Sequence, residues 1–64
     1  MKKRDLEKML GLEGWWLLRQ GGGHELWTNG EHTVAVPRHR EIAEYTARVI
    51  LRKARMNPGI KQHR

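Results

Sequence analysis

The hydrophobic positions of the first ten residues follow a helical spacing. Leu6, Met9 and Leu10 are three and four residues apart, which predicts a helix over residues 3–10 with one apolar face. Gly11 suits the left-handed position that ends a helix, and Leu12 is then placed to fold back over the last turn. We expect this helix to pack against a core.

The middle of the chain has the pattern of three short antiparallel strands. We predict them over residues 15–20, 24–28 and 31–36, each rich in aromatic, β-branched or other apolar residues. Residues 21–23, all glycine, form a tight connection between the first two strands. Asn29-Gly30 is a strong signal for a two-residue turn of type I′ between the second and the third. The first strand lacks clean alternation, so the pattern leaves open which of its tryptophans points inward.

A two-residue turn fixes the register of the second and third strands. It places Thr28 opposite Glu31 and His24 opposite Ala35, and the side chains alternate between two faces. We assign the bulkier face to the core; it holds Trp27, His32, Val34 and Val36. The other face holds His24, Leu26, Thr28, Thr33 and Ala35. His24 should therefore lie on the open face of the sheet, beside the glycines.

A second helical pattern runs from Glu41 to about Arg55. Its apolar residues fall within one broad arc, namely Ile42, Ala43, Thr46, Ala47, Ile50, Leu51 and Ala54. Asn57-Pro58-Gly59 stops this helix, and we expect the basic tail of about residues 57–64 to be disordered from Ile60 onward. The order helix, three strands, helix predicts an α+β domain with both helices on one face of a three-stranded antiparallel sheet. That is the layout of a double-stranded-RNA-binding domain.

Composition narrows the classes of protein that fit this pattern. The 64 residues allow one domain, and the lack of cysteine excludes disulfides and thiolate metal sites. No apolar run is long enough to span a membrane, and Glu7 and Lys8 interrupt a signal-peptide core, so we expect a cytoplasmic protein with no membrane partner. Thirteen Lys and Arg against seven Asp and Glu give a net charge of +6 and a pI near 10.6. We favour contact with nucleic acid over a charge that merely maintains solubility.

Several motifs of the chain resemble those of the HicA toxins, the mRNA interferases of HicAB toxin–antitoxin pairs. The resemblance covers roughly residues 4–56. It rests on Gly14-Trp15, on Arg-Gln-Gly-Gly-Gly-His at 19–24, on Val-Ala-Val-Pro-Arg-His at 34–39, and on the second helix from Ile42 to Ala54. Many members have a serine where this chain has Gly22, so any contribution of that hydroxyl is absent here.

The resemblance implies a fold like that of the double-stranded-RNA-binding domain and a toxin that cleaves mRNA without metal or cofactor. It further implies one catalytic histidine, which corresponds to His24, and a cognate HicB-type antitoxin that covers the site. The residues fit that chemistry, because an imidazole titrates near neutral pH and can exchange a proton with the RNA 2′-hydroxyl. The glycines admit the sugar-phosphate backbone and cations hold the phosphate, so we predict that RNA binds at Arg19, Gly21, Gly22, Gly23, Arg38 and His39.

Each of these residues also has a simpler interpretation. His24 alone could be an exposed strand residue, and the glycines a flexible turn without the lysine of a P-loop. His39 either contacts substrate or caps the second helix. His32 is expected at the rim of the hairpin, and the histidines show no metal-ligand spacing.

The arginines of the second helix, Arg48, Arg52 and Arg55, lie on one helix face. We favour a solvated face paired with Glu44 over a row of phosphate contacts. For the whole chain the main alternative to the toxin nuclease is a non-catalytic module that binds RNA or an antitoxin. A third possibility is a small interaction domain whose basic surface meets an acidic protein.

Overall fold

The fold of residues 1–59 is described from a computed structural model of the chain. In chain order its elements are α1 (Lys3–Leu12), β1 (Trp16–Gly21), β2 (His24–Thr28), β3 (Thr33–Pro37) and α2 (Glu44–Met56). The strands form one antiparallel sheet in the order β1-β2-β3. The predicted α-β-β-β-α order and its resemblance to the double-stranded-RNA-binding domain are thereby confirmed. The expected disorder beyond Gly59 concerns residues outside the described part of the chain.

The core lies between the two helices and one face of the sheet. Its fully or nearly buried side chains are Leu6, Leu10, Trp15, Val34, Val36, Ile42, Ala47, Ile50, Leu51 and Ala54. The helical residues of this set are those that the spacing of apolar positions predicted, and the two valines belong to the face assigned to the core. The apolar pattern therefore correctly indicated which faces of the helices and the sheet are buried.

The two adjacent tryptophans have opposite environments. Trp15 is 2% exposed, whereas Trp16 is 48% exposed. The indole Nε1 of Trp15 donates a hydrogen bond of 2.9 Å to the carbonyl of Asn57, just after α2. Trp15 lies just before β1 and not within it. Its hydrogen bond connects the segment after α1 to the end of α2. Strand β1 is an exposed edge strand, and its register with β2 shifts between Leu17 and Arg19.

Helix α1 continues past the glycine that was expected to end it. Gly11 is helical and Leu12 is 65% exposed, so the predicted left-handed end at Gly11 is wrong. The left-handed residue is Gly14, with φ +85°. A Cβ at Gly14 would lie 2.8 Å from the carbonyl oxygen of Gly59, whose own N–H donates to the carbonyl of Glu13 at 2.8 Å. The end of α1 is thus set by a close backbone contact with the segment after α2.

The loop between β2 and β3 is longer than predicted. Thr28 pairs with Thr33 and His24 with Pro37, so four residues connect the strands and the register differs by two from the predicted one. Asn29 does not have the positive φ that a type I′ turn requires. Its side-chain Oδ1 accepts hydrogen bonds from the amides of residues 31 and 32, at 2.8 and 2.6 Å. Because the shift is two residues, the strand side chains keep their predicted faces.

Helix α2 begins three residues later than predicted, at Glu44. Residues 40–42 instead pair with the start of the chain. Lys2 and Glu41 form an antiparallel β-bridge, the amide of Lys3 donates to the carbonyl of residue 40 at 2.9 Å, and the amide of Ile42 donates to Met1 at 2.8 Å. Ile42 is still buried in the core. Ile42 fits the apolar spacing of α2, which is why the sequence predicted it to be helical, but the backbone pairing with the chain start prevents a helix at this position.

Candidate functional site

The glycines and His24 form the tip of the hairpin between β1 and β2. Gly21 pairs with His24, so Gly22 and Gly23 are the two central residues of the turn. Gly22 has φ +46°, while Gly23 does not have a positive φ. A positive φ at the first central position alone is the pattern of a type II′ turn, which requires glycine there. The triple glycine thus closes a tight hairpin directly before the histidine.

His24 lies at the margin of the open face of the sheet. It is the first residue of β2 and is exposed, and its neighbours across the strands are Gly21 and Pro37. Alternation places it on the face of Leu26 and away from Val36, which is buried beneath the helices. The structure therefore puts the imidazole where the predicted alternation of faces placed it, on the side of the sheet that no helix covers.

The space around the glycines is open on the solvent side. A Cβ built on Gly21 or on Gly23 meets no atom within 4 Å. Neither residue has the left-handed φ that would exclude a side chain. The protein interior therefore does not demand glycine at these two positions. What their small size provides is unobstructed access to the main chain beside His24.

Two predicted RNA-binding arginines accompany this turn. Arg19 pairs with Leu26 on β2, so it lies on the face of His24, at the diagonal position where Cα atoms are about 7–8 Å apart. Arg38 follows β3; its amide donates to the carbonyl of Gly23 at 3.0 Å, and its guanidinium Nη1 donates to the carbonyl of Gly22 at 3.3 Å. Both arginines are exposed. The turn, the histidine and two cations are thus brought together.

The other two histidines of the described chain are less closely associated with the turn. His39 is exposed in the extended segment after Arg38. The N-cap of α2 is Ala43, four residues later, and no side chain caps it, so the capping role considered for His39 is wrong. His32 is exposed in the loop after β2, at the rim where it was expected, and its assignment to the core face is wrong. That assignment depended on the two-residue turn, which the structure replaces with a longer loop.

The arginine row of α2 belongs to the helical layer, whereas His24 lies on the opposite face of the sheet. Arg48, Arg52 and Arg55 line a groove of about 540 Å³ between the helices. The predicted pairing with Glu44 is not formed, because that carboxylate lies 3.4 Å from the amino terminus of Met1. Arg55 instead lies 3.9 Å from a carboxylate oxygen of Glu13. This row is therefore separate from the site around the glycines.

The sequence reasoning missed Glu25, a buried carboxylate next to His24. Glu25 is 5% exposed and faces the helices, where it accepts hydrogen bonds from Lys3 Nζ at 3.0 Å, Trp27 Nε1 at 3.2 Å and Gln20 Nε2 at 3.3 Å. Burial by itself raises the pKa of Glu25, but the hydrogen bonds and the charge of Lys3 outweigh it and lower the pKa overall. The carboxylate therefore stays ionised and is not a proton donor at neutral pH. Its place on the face of Trp27 was the signal available in the sequence.

Lys3 links this carboxylate to α1. Its ammonium also pairs with Glu7 one turn along the helix, so a single cation bridges Glu7 and Glu25. Burial lowers the pKa of Lys3, while its two carboxylate partners raise it and prevail. The ion pair therefore fixes the beginning of α1 against the strand that begins with His24.

No group of three or more His, Cys, Asp or Glu side chains within residues 1–59 is arranged to hold a metal ion. No helix in the same range has both the length and the apolar character needed to cross a membrane.

Fold and site together define a small basic α+β domain with the layout of a double-stranded-RNA-binding domain and a glycine-flanked histidine on its uncovered sheet face. The family model described as the HicA toxin of bacterial toxin-antitoxin matches residues 4–56, which include all of α1 but its first residue, all three strands and α2. The chain belongs to this family of toxins, as its motifs indicated. Searches of curated proteins and of solved structures gave no significant match.

Proposed function

We propose that this toxin is an endoribonuclease that cleaves mRNA with His24 as its general base or acid. One observation supports the proposal above the others. The exposed imidazole lies opposite Gly21, which has no side chain, and beside a turn against which Arg38 is held. A phosphodiester can therefore approach the imidazole, the main chain and a cation at once.

The proposed reaction uses the nucleophile that RNA itself contains. The imidazole of His24 takes the proton of a ribose 2′-hydroxyl, and the oxygen attacks the adjacent phosphorus. The bond from phosphorus to the 5′-oxygen breaks, that oxygen takes up a proton from water, and the imidazolium returns its proton to the solvent, leaving a 2′,3′-cyclic phosphate and a 5′-hydroxyl. No activated water takes part, so the step does not call for a metal. A positioned general base typically contributes about 10²–10⁴-fold to such a rate.

The cations and the glycines have separate tasks in this reaction. Negative charge on the phosphoryl oxygens increases towards the transition state, and a guanidinium next to them stabilises it. Arg38 is held at the turn by its two contacts, and Arg19 lies on the same face as His24. Gly21 and Gly23 leave the space that the ribose and phosphate need. His39, next along the chain from Arg38, is a further candidate for substrate contact.

Cleavage of a single-stranded RNA and of a DNA of the same sequence, both in EDTA, tests the proposal. We expect the RNA to be cut to products with cyclic phosphate and 5′-hydroxyl ends, and the DNA to stay intact. RNA that only shifts in a gel, without cleavage, would support a non-catalytic module that binds RNA. Cleavage of the DNA would contradict attack by the 2′-hydroxyl, and a loss of RNA cleavage in EDTA would contradict a metal-free reaction.

As a member of a toxin–antitoxin family, the chain has an antitoxin partner. We propose that this partner is of the HicB type and covers His24. The exposure of the site supports this, since an uncovered sheet face can be blocked without any change in the toxin. The purified product of an adjacent HicB-like reading frame should stop RNA cleavage at equimolar ratio. A purified toxin–antitoxin complex that still cleaves RNA would contradict occlusion.

A further inference from the structure

A second basic surface lies at the junction of the chain start and the segment after β3. It is a cavity of about 490 Å³ lined by Lys2, Lys3, Arg4, Glu7 and Arg40, which we call the basic pocket. Four of the lining side chains are cations and one is a carboxylate. None is apolar. The lining therefore suits a hydrated anion rather than an apolar group.

Backbone pairing holds the cations of the basic pocket together. The amide of Lys3 donates to the carbonyl of Arg40 at 2.9 Å, and Lys2 forms a β-bridge with Glu41. Cations from two distant parts of the chain are thus fixed side by side, although like charges repel. This arrangement does not depend on the flexible side chains finding one another.

Most of the positive charge in the basic pocket is not neutralised within the described chain. Lys3 is the exception, since it pairs with Glu7 and Glu25. Lys2, Arg4 and Arg40 are exposed and form no ion pair within residues 1–59. These three cations are therefore available to an external anion.

The basic pocket is connected to the proposed catalytic site by two short links. Arg40 is two residues from Arg38, which contacts the glycine turn, and two extended residues span at most about 7 Å. Lys3, at the other side of the pocket, is bonded to Glu25, the residue after His24. The pocket and the turn therefore lie at the same end of the molecule.

We propose that Lys2, Arg4 and Arg40 bind a second phosphodiester of the RNA substrate, distinct from the phosphodiester that is cleaved. The substrate then spans both the basic pocket and the glycine turn. This rests on the proposed function, since it extends the same substrate beyond His24. A phosphate is favoured over an acidic protein because every lining side chain is charged, whereas charged residues are depleted at the core of protein interfaces. Arginine and lysine are the side chains that recognise phosphate oxygens.

The test measures RNA affinity against salt concentration, with the full chain carrying His24→Ala so that the RNA stays intact. Arg4→Gln is compared with Lys8→Gln. Both positions are exposed on α1 and four residues apart, and both changes remove one charge, but only Arg4 lines the pocket. Arg4→Gln should weaken binding of a single-stranded RNA about three- to tenfold, the net effect of one typical hydrogen bond. It should also reduce the log–log salt slope by about 0.7, whereas Lys8→Gln changes affinity less than about twofold.

Arg40→Gln, from the other segment, should reproduce the effect of Arg4→Gln. Equal effects of Arg4→Gln and Lys8→Gln would overturn the proposal, because only net charge would then matter. An RNA affinity that Arg4→Gln leaves unchanged would also overturn the proposal, even if that variant weakens binding of the antitoxin. The proposed phosphate contact is retained if the wild-type chain does not cleave RNA but Arg4→Gln, unlike Lys8→Gln, reduces the salt slope. Conversely, if the wild-type chain cleaves RNA but Arg4→Gln and Lys8→Gln have the same RNA affinity, the proposed function is retained and the role of the basic pocket is refuted.

Discussion

Replacing Gly21 with alanine separates what the glycine turn does for the fold from what it does for the substrate. Gly21 pairs with His24, and an added Cβ meets no protein atom within 4 Å. Its backbone is not left-handed, so alanine fits without strain. We expect Gly21→Ala to raise the free energy of unfolding by about 0.4–1 kcal/mol, because alanine restricts the unfolded chain more than glycine does.

The same substitution should impair RNA cleavage. Directly paired residues of an antiparallel sheet have Cβ atoms about 4.5–5.5 Å apart, so the new methyl group lies beside the imidazole, on its face. The ribose would have to move by about a methyl radius, and a misplacement of about 1 Å can cost on the order of 10²-fold in rate. We therefore expect a protein that is more stable than the wild type and cleaves at least about tenfold more slowly.

Gly22→Ala provides the control for backbone strain. Its φ of +46° is unfavourable for any residue with a Cβ, so we expect this variant to lose about 1 kcal/mol or more. Urea denaturation gives the free energies of unfolding, and single-turnover cleavage of a labelled RNA gives the rates. A Gly21→Ala protein destabilised by more than about 1 kcal/mol would show that the fold requires this glycine. A stable Gly21→Ala protein with wild-type activity would refute the role of the open main chain.

Three further changes test the packing that supports the site. Glu25→Gln should cost about 1–3 kcal/mol in urea denaturation, since it removes the buried partner of Lys3. Because the pKa of Glu25 is below its ordinary value of 4.5 in the folded protein, its contribution to stability is complete above that value and lost as the pH falls further. The free energy of unfolding should therefore fall less steeply with decreasing pH in Glu25→Gln than in wild type. Equal pH dependences of the two proteins would contradict the pairing. Asn29→Gly should lower the free energy of unfolding by about 1–3 kcal/mol, because the side-chain hydrogen bonds of Asn29 are lost. A gain in stability would instead support the two-residue turn predicted from the sequence. Trp15→Phe should cost about 1–2 kcal/mol, measured by thermal or urea unfolding, since the indole N–H no longer reaches Asn57, and an unchanged midpoint would contradict that bond.

Local periodicity was sufficient to find the elements and their buried faces. Leu6 and Leu10 on α1, and Ile50 and Leu51 on α2, are spaced so that only one helix face can be buried. The strand faces were also correct in spite of a wrong register. An error of two residues preserves alternation, so Val34 remains on the core side.

The predicted element boundaries were wrong where contacts with distant segments determine the backbone conformation. Helix α2 starts late because residues 40–42 pair with the chain start, and no local pattern reports such a partner. Helix α1 passes Gly11 because the tight contact between Gly14 and Gly59 ends it instead. In the loop after β2, the side chain of Asn29 satisfies two amides, a role that competes with its tolerance of positive φ.

The candidate site could be predicted only in its local part. The glycines and His24 are contiguous, so their placement at a hairpin tip follows from the sequence. The contacts of Arg38 with the turn, and the assembly of Arg4 and Arg40 into one pocket, join residues that are far apart along the chain. Such neighbours depend on the register of β3 and on the pairing of the chain start, which the pattern did not show.

Measurement of RNA cleavage by the His24→Ala and His32→Ala variants tests the proposed mechanism most directly. Both histidines are exposed, His24 at the start of β2 and His32 directly before β3, so each substitution should leave the free energy of unfolding within about 0.5 kcal/mol of wild type. We predict that His24→Ala lowers the cleavage rate about 10²–10⁴-fold and that His32→Ala leaves it unchanged. A folded His24→Ala protein that cuts RNA at the wild-type rate would contradict the assignment of proton transfer to this imidazole.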